Sequence, residues 1–415
     1  MNQTQASLPQ NPWRSPEGIP APSLARVLLA AVALLAALFF FPLWDFLPYS
    51  YITVAACFAY AVITARSLRA TLPILLAVFS LTLLSLPLGA ALGALILATS
   101  AGAFLITAKK IGFLWLLLFP LAYALSVAVT QNPWVALGVL FPLPALLALA
   151  VTTRKDLGRN LTVATTTAGI LLSILALLGV LVYVNAGTLT LESIRSSIEY
   201  VREEVVALLC RMRDEGLAEL EAQIALQPAE QQEALQKSLA TLRDRLPDAT
   251  LRETVEMAFH LLPALTVLLS MLAAFLSQSL LCRTYFAAGM KNVLTKDALF
   301  LTASLTGAIL LEVSFLLQVI TPQSLVGTVA ANLFLVLTPL FFLFGLQHLR
   351  ESFAAMPGGN RLFWLLLAGT MLCCNPLVIL YLIALITASR RILTALRDHL
   401  KNKLDRLTGD GPDED

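Results

Sequence analysis

The stretch LTVATTTAGILLSILALLGVLVYV, Leu161 to Val184, decides the fold, because its 24 residues include no aspartate, glutamate, lysine or arginine. At about 1.5 Å rise per residue a helix of that length reaches about 36 Å, enough to cross the roughly 30 Å of hydrocarbon in a bilayer. A water-soluble chain carries its apolar residues in short periodic stripes, and this stretch carries them without interruption. In hydrocarbon every backbone N–H and C=O must be paired inside its own segment, so the stretch is predicted to be a helix.

Working outward, runs of the same kind precede it at Ser23 to Trp44, Tyr49 to Ala65, Ala70 to Pro87, Leu88 to Ala108, Ile111 to Thr130 and Pro133 to Thr152. Others follow at Met257 to Leu281, Asp297 to Ile320, Pro322 to Leu349 and Leu362 to Ala388. The composition agrees: 58% of the 415 residues are hydrophobic, 13% are charged and the mean hydropathy is +0.81. A soluble domain carries about 25% charged residues. The net charge of +2 implies no polyanionic partner, and nucleic-acid binding is not expected. The main partner implied is the lipid bilayer itself.

Lysine and arginine orient the runs, since short loops rich in them stay on the cytoplasmic side. Arg14 with Arg26, Arg66 with Arg69, Lys109 with Lys110, Arg154 with Lys155 and Arg159, Arg283 with Lys291 and Lys296, and Arg350 with Arg361 mark one side. The opposite loops around Asp45, Leu88, Gln131 and Thr321 have none. The N-terminus is therefore expected inside a bacterial inner membrane and the polar stretch after Val184 outside. A single span over Leu362 to Ala388 would place the basic tail, Arg390 to Arg406, on the wrong side. Asn375-Pro376 in its middle favours a turn, so a short re-entrant or thin-bilayer hairpin is expected, with both termini cytoplasmic.

The fold class that results is all-α, a polytopic transmembrane bundle of about 11 to 12 helices with an extracytoplasmic amphipathic helical hairpin. Residues 1–22, with five prolines among polar neighbours, are expected to be a disordered cytoplasmic N-terminus. Residues 23–184 form the N-terminal transmembrane helices, 185–256 the hairpin and 257–389 the C-terminal transmembrane helices. Residues 390–415 form a basic interfacial helix with an acidic end, held by apolar burial and by roughly 1 kcal/mol per basic residue near anionic lipid. In the hairpin Ile194, Ile198, Val201, Val205, Leu208 and Met212 recur at steps of three and four. Gly216 and Pro228 are expected to interrupt it, and Thr250-Leu251-Arg252-Glu253 to cap the helix that re-enters the membrane.

Chemistry is sparse. No phosphate loop, nucleophile elbow or zincin motif occurs, and His260, His348 and His399 stand in different segments, so neither an enzyme nor a metal or other cofactor is predicted. Ionisable and strongly polar groups inside spans are costly and mark functional sites by default. Glu312 and Asn332 fall at similar depths on consecutive antiparallel spans, with Gln318 and His260 nearer the mouth. They form a candidate intramembrane polar site, either holding a polar ligand or proton, or satisfying one another between helices. Ala33 and Ala37 form a small-xxx-small pair that allows close helix approach, a candidate for partner docking.

Leu261-Leu262-Pro263-Ala264-Leu265 opening a span, Ala331-Asn332-Leu333, and Phe344-Gly345-Leu346-Gln347-His348, followed by a terminal hairpin and basic tail, resemble the YybS-like family of bacterial membrane proteins. The resemblance covers about Thr190 to Arg397. That family is distantly similar to the substrate-binding subunits of energy-coupling-factor transporters, six-helix units with both ends inside. The resemblance implies a transporter-like protein served by a partner ATPase or coupling subunit, which Ala33 and Ala37 would contact. The alternative is a membrane scaffold for envelope assembly, binding other proteins through the outer hairpin and basic tail.

Overall fold

The computed structural model describes residues 23–40, 55–56, 59–60, 86–108, 112–155, 159–226, 228–287, 304–322, 324–354, 356, 358–373 and 375–408. The chain is all-α, and no strand occurs among the described residues. Six helical segments there are long and apolar enough to cross a membrane: Gly112–Thr130, Pro133–Arg154, Leu161–Ala186, Asp248–Tyr285, Leu325–Ala354 and Pro376–Lys401. Four shorter apolar helices accompany them. The expected spans Tyr49 to Ala65 and Ala70 to Pro87 lie almost wholly outside the described residues, as do the N-terminal segment 1–22 and the acidic end.

The chain divides into two compact units, residues 1–178 with 267–302, and residues 179–266 with 303–415. In the first, α1 (Leu24–Phe40) packs mainly on α2 (Leu86–Ala108). Helix α2 is apolar on all sides, and its residues 93–105 are buried on all sides, as a central helix must be. A 3-10 turn at Gly112–Leu117 leads into α3 (Leu118–Thr130). Asn132 then caps the short α4 (Pro133–Ala136), accepting from Trp134 N at 2.9 Å with Pro133 in the first turn. Helix α5 (Leu143–Lys155) packs on α2, and α6 (Arg159–Ala186) approaches α5 closely at Gly169. The core of this unit also takes in Ala273, Ala274, Leu280 and Tyr285 from the far half of a later helix, α9 (Asp248–Ala287). Tyr285 meets Phe104 edge to face at 5.4 Å.

Many leucines of α6, including Leu172, Leu175 and Leu178, are exposed. An apolar surface of that extent is stable against acyl chains and not against water.

In the second unit α7 (Leu191–Ala225) starts at Thr190, whose hydroxyl accepts from Ser193 N at 3.1 Å. The chain turns at Pro228 as expected and returns through α8 (Ala229–Arg245) and the start of α9 (Asp248–Ala287). Three ion pairs show the helices of this hairpin to be antiparallel: Glu221 with Arg243 at 3.0 Å, Arg213 with Asp248 at 2.6 Å and Glu203 with Arg252 at 2.8 Å. Two local expectations are corrected. Gly216 does not interrupt α7, because a lone glycine weakens a helix by only about 1 kcal/mol and the neighbouring turns hold it. Thr250 does not cap α9, which begins two residues earlier where Pro247 stops α8 from continuing.

The rest of the unit is α10 (Leu305–Ile320), α11 (Leu325–Ala354), α12 (Gly359–Cys373) and α13 (Pro376–Thr408). Ser304 caps α10 and Ser324 caps α11, each accepting from an amide three residues on at 3.0 Å. Helices α10, α11 and α13 share a core of Ala308, Leu311, Phe334, Phe341, Ala384 and Ala388. Between α12 and α13 the helix breaks where Asn375-Pro376 predicts it, with the Asn375 side chain accepting from Leu377 N at 3.0 Å. Helix α12 has 15 residues, about 22 Å, which is short for a full crossing. Helix α13 is continuous over 33 residues, so the basic segment from Arg390 extends the same rod as the apolar segment before it.

Candidate functional site

The polar residues singled out inside the spans fall into two clusters, both in the second unit. The first lies around Pro263, inside the continuous helix α9. Proline has no N–H, and its ring crowds the carbonyl four residues back, so the hydrogen-bond ladder is weakened there. Asn332 on α11 reaches this turn. Its Oδ1 accepts from Ala264 N at 2.9 Å and its Nδ2 donates to the His260 carbonyl at 2.8 Å. Those two backbone groups are the pair that an unbroken helix would join to each other. The second Nδ2 proton goes to the Thr328 carbonyl at 2.9 Å, so both amide protons and the amide oxygen are engaged. His260 takes part through its backbone, and its imidazole is exposed.

The second cluster centres on Glu312, half-buried on α10. Ser389 of α13 donates to its Oε1 at 2.5 Å. The same serine lines a cleft of about 470 Å³ along α13, together with Leu385, Ile386, Arg390, Leu393, Thr394 and Arg397. The wall is apolar on one stretch, hydroxylated at Ser389 and Thr394, and cationic at two arginines two helical turns, about 10 Å, apart. A site with that lining suits an amphiphile carrying an anionic group. Gln318 is half-buried near the end of α10, about 9 Å further along the helix than Glu312.

Glu312 and Asn332 do not share one level: Phe315 touches Phe334 at 5.5 Å across the antiparallel α10–α11 pair, a register that sets Glu312 and Asn332 about 7 Å apart along the helices. They look in different directions. The buried face of α11 that meets its neighbours runs through Phe334, Thr338, Phe341 and Gly345, and Asn332 stands roughly 200° round the helix from Phe334. Its amide therefore reaches α9, and the Glu312 carboxylate reaches α13. Ser389 was not singled out in the sequence. Its signal was its place beside Ala388 on a small-residue face, Ala384 and Ala388, which lets α13 come close enough to α10 for a hydroxyl to reach a carboxylate.

Ala33 and Ala37 are buried in the core of the first unit, at 5% and 1% exposure, on a helix that packs mainly against α2. Their small side chains serve close packing within the chain, and the face is already occupied. Among the described residues no group of three or more histidine, cysteine, aspartate or glutamate side chains is placed to hold a metal ion. The Cys210 thiol, on the hairpin, donates to Asp248 at 3.7 Å.

No protein-family model, no curated protein and no solved structure matches this chain.

Proposed function

We propose that this chain is a transporter-type, non-enzymatic membrane protein of the YybS-like kind, binding an amphiphilic anion in the α13 cleft and relying on a partner ATPase for energy. The observation that carries the reading is the Ser389 hydroxyl, shared between the Glu312 carboxylate and a cleft that presents Arg390 and Arg397 beside leucines. The interrupted α12–α13 pair supports it, because discontinuous segments are typical of membrane substrate sites. Glu312 does not line the cleft itself but holds the Ser389 hydroxyl that does.

Purified protein in detergent is expected to gain thermal stability with dioctanoyl phosphatidic acid and not with dioctanoylglycerol. Arg390→Ala with Arg397→Ala should abolish the gain. Glu312→Gln, which keeps an acceptor for Ser389 but no charge, should bind roughly tenfold more tightly than the parent, since a carboxylate one hydrogen bond away from the site repels an anion. An identical response to the neutral lipid, or a parent protein that responds to neither, would sink the ligand reading.

The proposed placement is a bacterial inner membrane with both termini cytoplasmic and the 185–256 hairpin outside. Fluorescent-protein fusions at either terminus should then glow, and phosphatase fusions near Pro228 should be active. A phosphatase-active C-terminal fusion would refute the α12–α13 hairpin. A second reading, a scaffold for envelope proteins, is favoured by the length of α7, which has 35 residues.

A further inference from the structure

Helix α7 presents two unlike faces. Val206, Arg213, Leu217 and Ile224 face inward, where Arg213 pairs with Asp248 and its Nη1 also donates to the Leu246 carbonyl at 2.9 Å. On the other side Ile194, Ile198, Val201, Val205, Leu208 and Met212 follow one another at steps of 4, 3, 4, 3 and 4 residues. Among the described residues most of this row is left bare, with Ile198 52% exposed, Leu208 51% and Met212 58%, and only Val205 is partly covered. A surface helix resting on lipid or on a globular core carries a broad apolar face at the 3.6-residue period, whereas a strict 3.5-residue seam is the mark of a coiled coil.

From this seam we infer that α7 pairs in parallel and in register with α7 of a second copy of the chain. With Ile198, Val205 and Met212 at the first core position and Ile194, Val201 and Leu208 at the second, the β-branched pair Ile198 and Val205 favours two strands. The flanking positions agree on direction. A parallel pair sets Ser197 opposite Arg202 and Glu204 opposite Leu209 of the second copy, with no like charges meeting. The antiparallel alignment that would join all six core residues sets Arg202 against Arg202 and Glu204 against Glu204 of the second copy. Copies threaded the same way through one bilayer are related by an axis along its normal, which leaves only the parallel arrangement for helices lying along that axis. The pairing is independent of the ligand proposed for the α13 cleft.

The test uses the full-length protein in its membrane. Val201→Cys, at a core position, is expected to give a disulfide-linked dimer on mild oxidation. Neither the parent nor Tyr200→Cys, one residue off the seam, should do so. In detergent, light scattering should give twice the mass of one chain for the parent and half that value for the pair Val201→Glu with Leu208→Glu. Circular dichroism verifies that this pair keeps its helices, and Val205→Ser supplies a milder variant, expected to shift the dimer dissociation constant upward at least tenfold. A single-chain mass for the parent overturns the inference. So do an unchanged dimer in both variants, a cross-link at Val201→Cys to a different protein, and quenching of a fluorophore at Val201→Cys by brominated lipid, which would place the seam in the bilayer.

Discussion

Asn332→Leu is expected to lower the stability of the protein by about 2 kcal/mol, the usual penalty for leaving backbone groups without partners in apolar surroundings. The substitution keeps an apolar side chain of similar size and removes the amide that joins Ala264 N and the His260 carbonyl. The effect should depend on the proline. With Pro263→Ala in place, the α9 ladder is free to close on itself, so Asn332→Leu in that background should cost less than half as much. Thermal unfolding in detergent of the parent, both single variants and the double variant measures the coupling. Equal losses in the two backgrounds would mean that Asn332 packs against α9 without bridging its weakened turn.

The second large effect is expected at Gly169. A Cβ there would stand 2.9 Å from the Ala145 Cα and 2.9 Å from the Pro144 carbonyl oxygen, both backbone atoms of the neighbouring helix or its first turn. Side chains can rotate away from an intruder; a helix backbone in a packed bundle has to move as a whole. Gly169→Val should therefore separate α5 from α6 and cost about 3 kcal/mol, and Gly169→Ala about half of that. Gly216→Ala is the counterpart, because nothing lies within 4 Å of the Cβ position there. That change should be neutral or raise stability by up to about 1 kcal/mol through helix propensity. Unfolding temperatures and folded yield from membranes read both. Equal behaviour of Gly169→Ala and Gly216→Ala would show that α6 does not depend on close approach to α5.

Much of this architecture is written locally. The charge-free length of Leu161 to Val184 suffices for a membrane helix, because the bilayer imposes one solution on any backbone that enters it. Pro228 and Asn375-Pro376 locate their breaks, since a missing N–H and a fixed φ act on the residue itself whatever surrounds it. Thr190, Ser304 and Ser324 start helices by the same local chemistry.

Partnership is different, because it depends on azimuth as well as depth. Two residues at one level of adjacent helices meet only if both side chains point across the same interface, and a rotation of some 100° per residue separates neighbours in sequence. Equal counts from the connecting turn paired Glu312 with Asn332 on paper; helix register and azimuth sent one to Ser389 and the other into α9. Ala33 and Ala37 carry the spacing that permits close packing, and only the assembled unit supplies α2 as the helix that uses it. The row from Ile194 to Met212 is the reverse case: its period is plain in the sequence, and only the tertiary structure leaves it bare, by satisfying α7 through the opposite face.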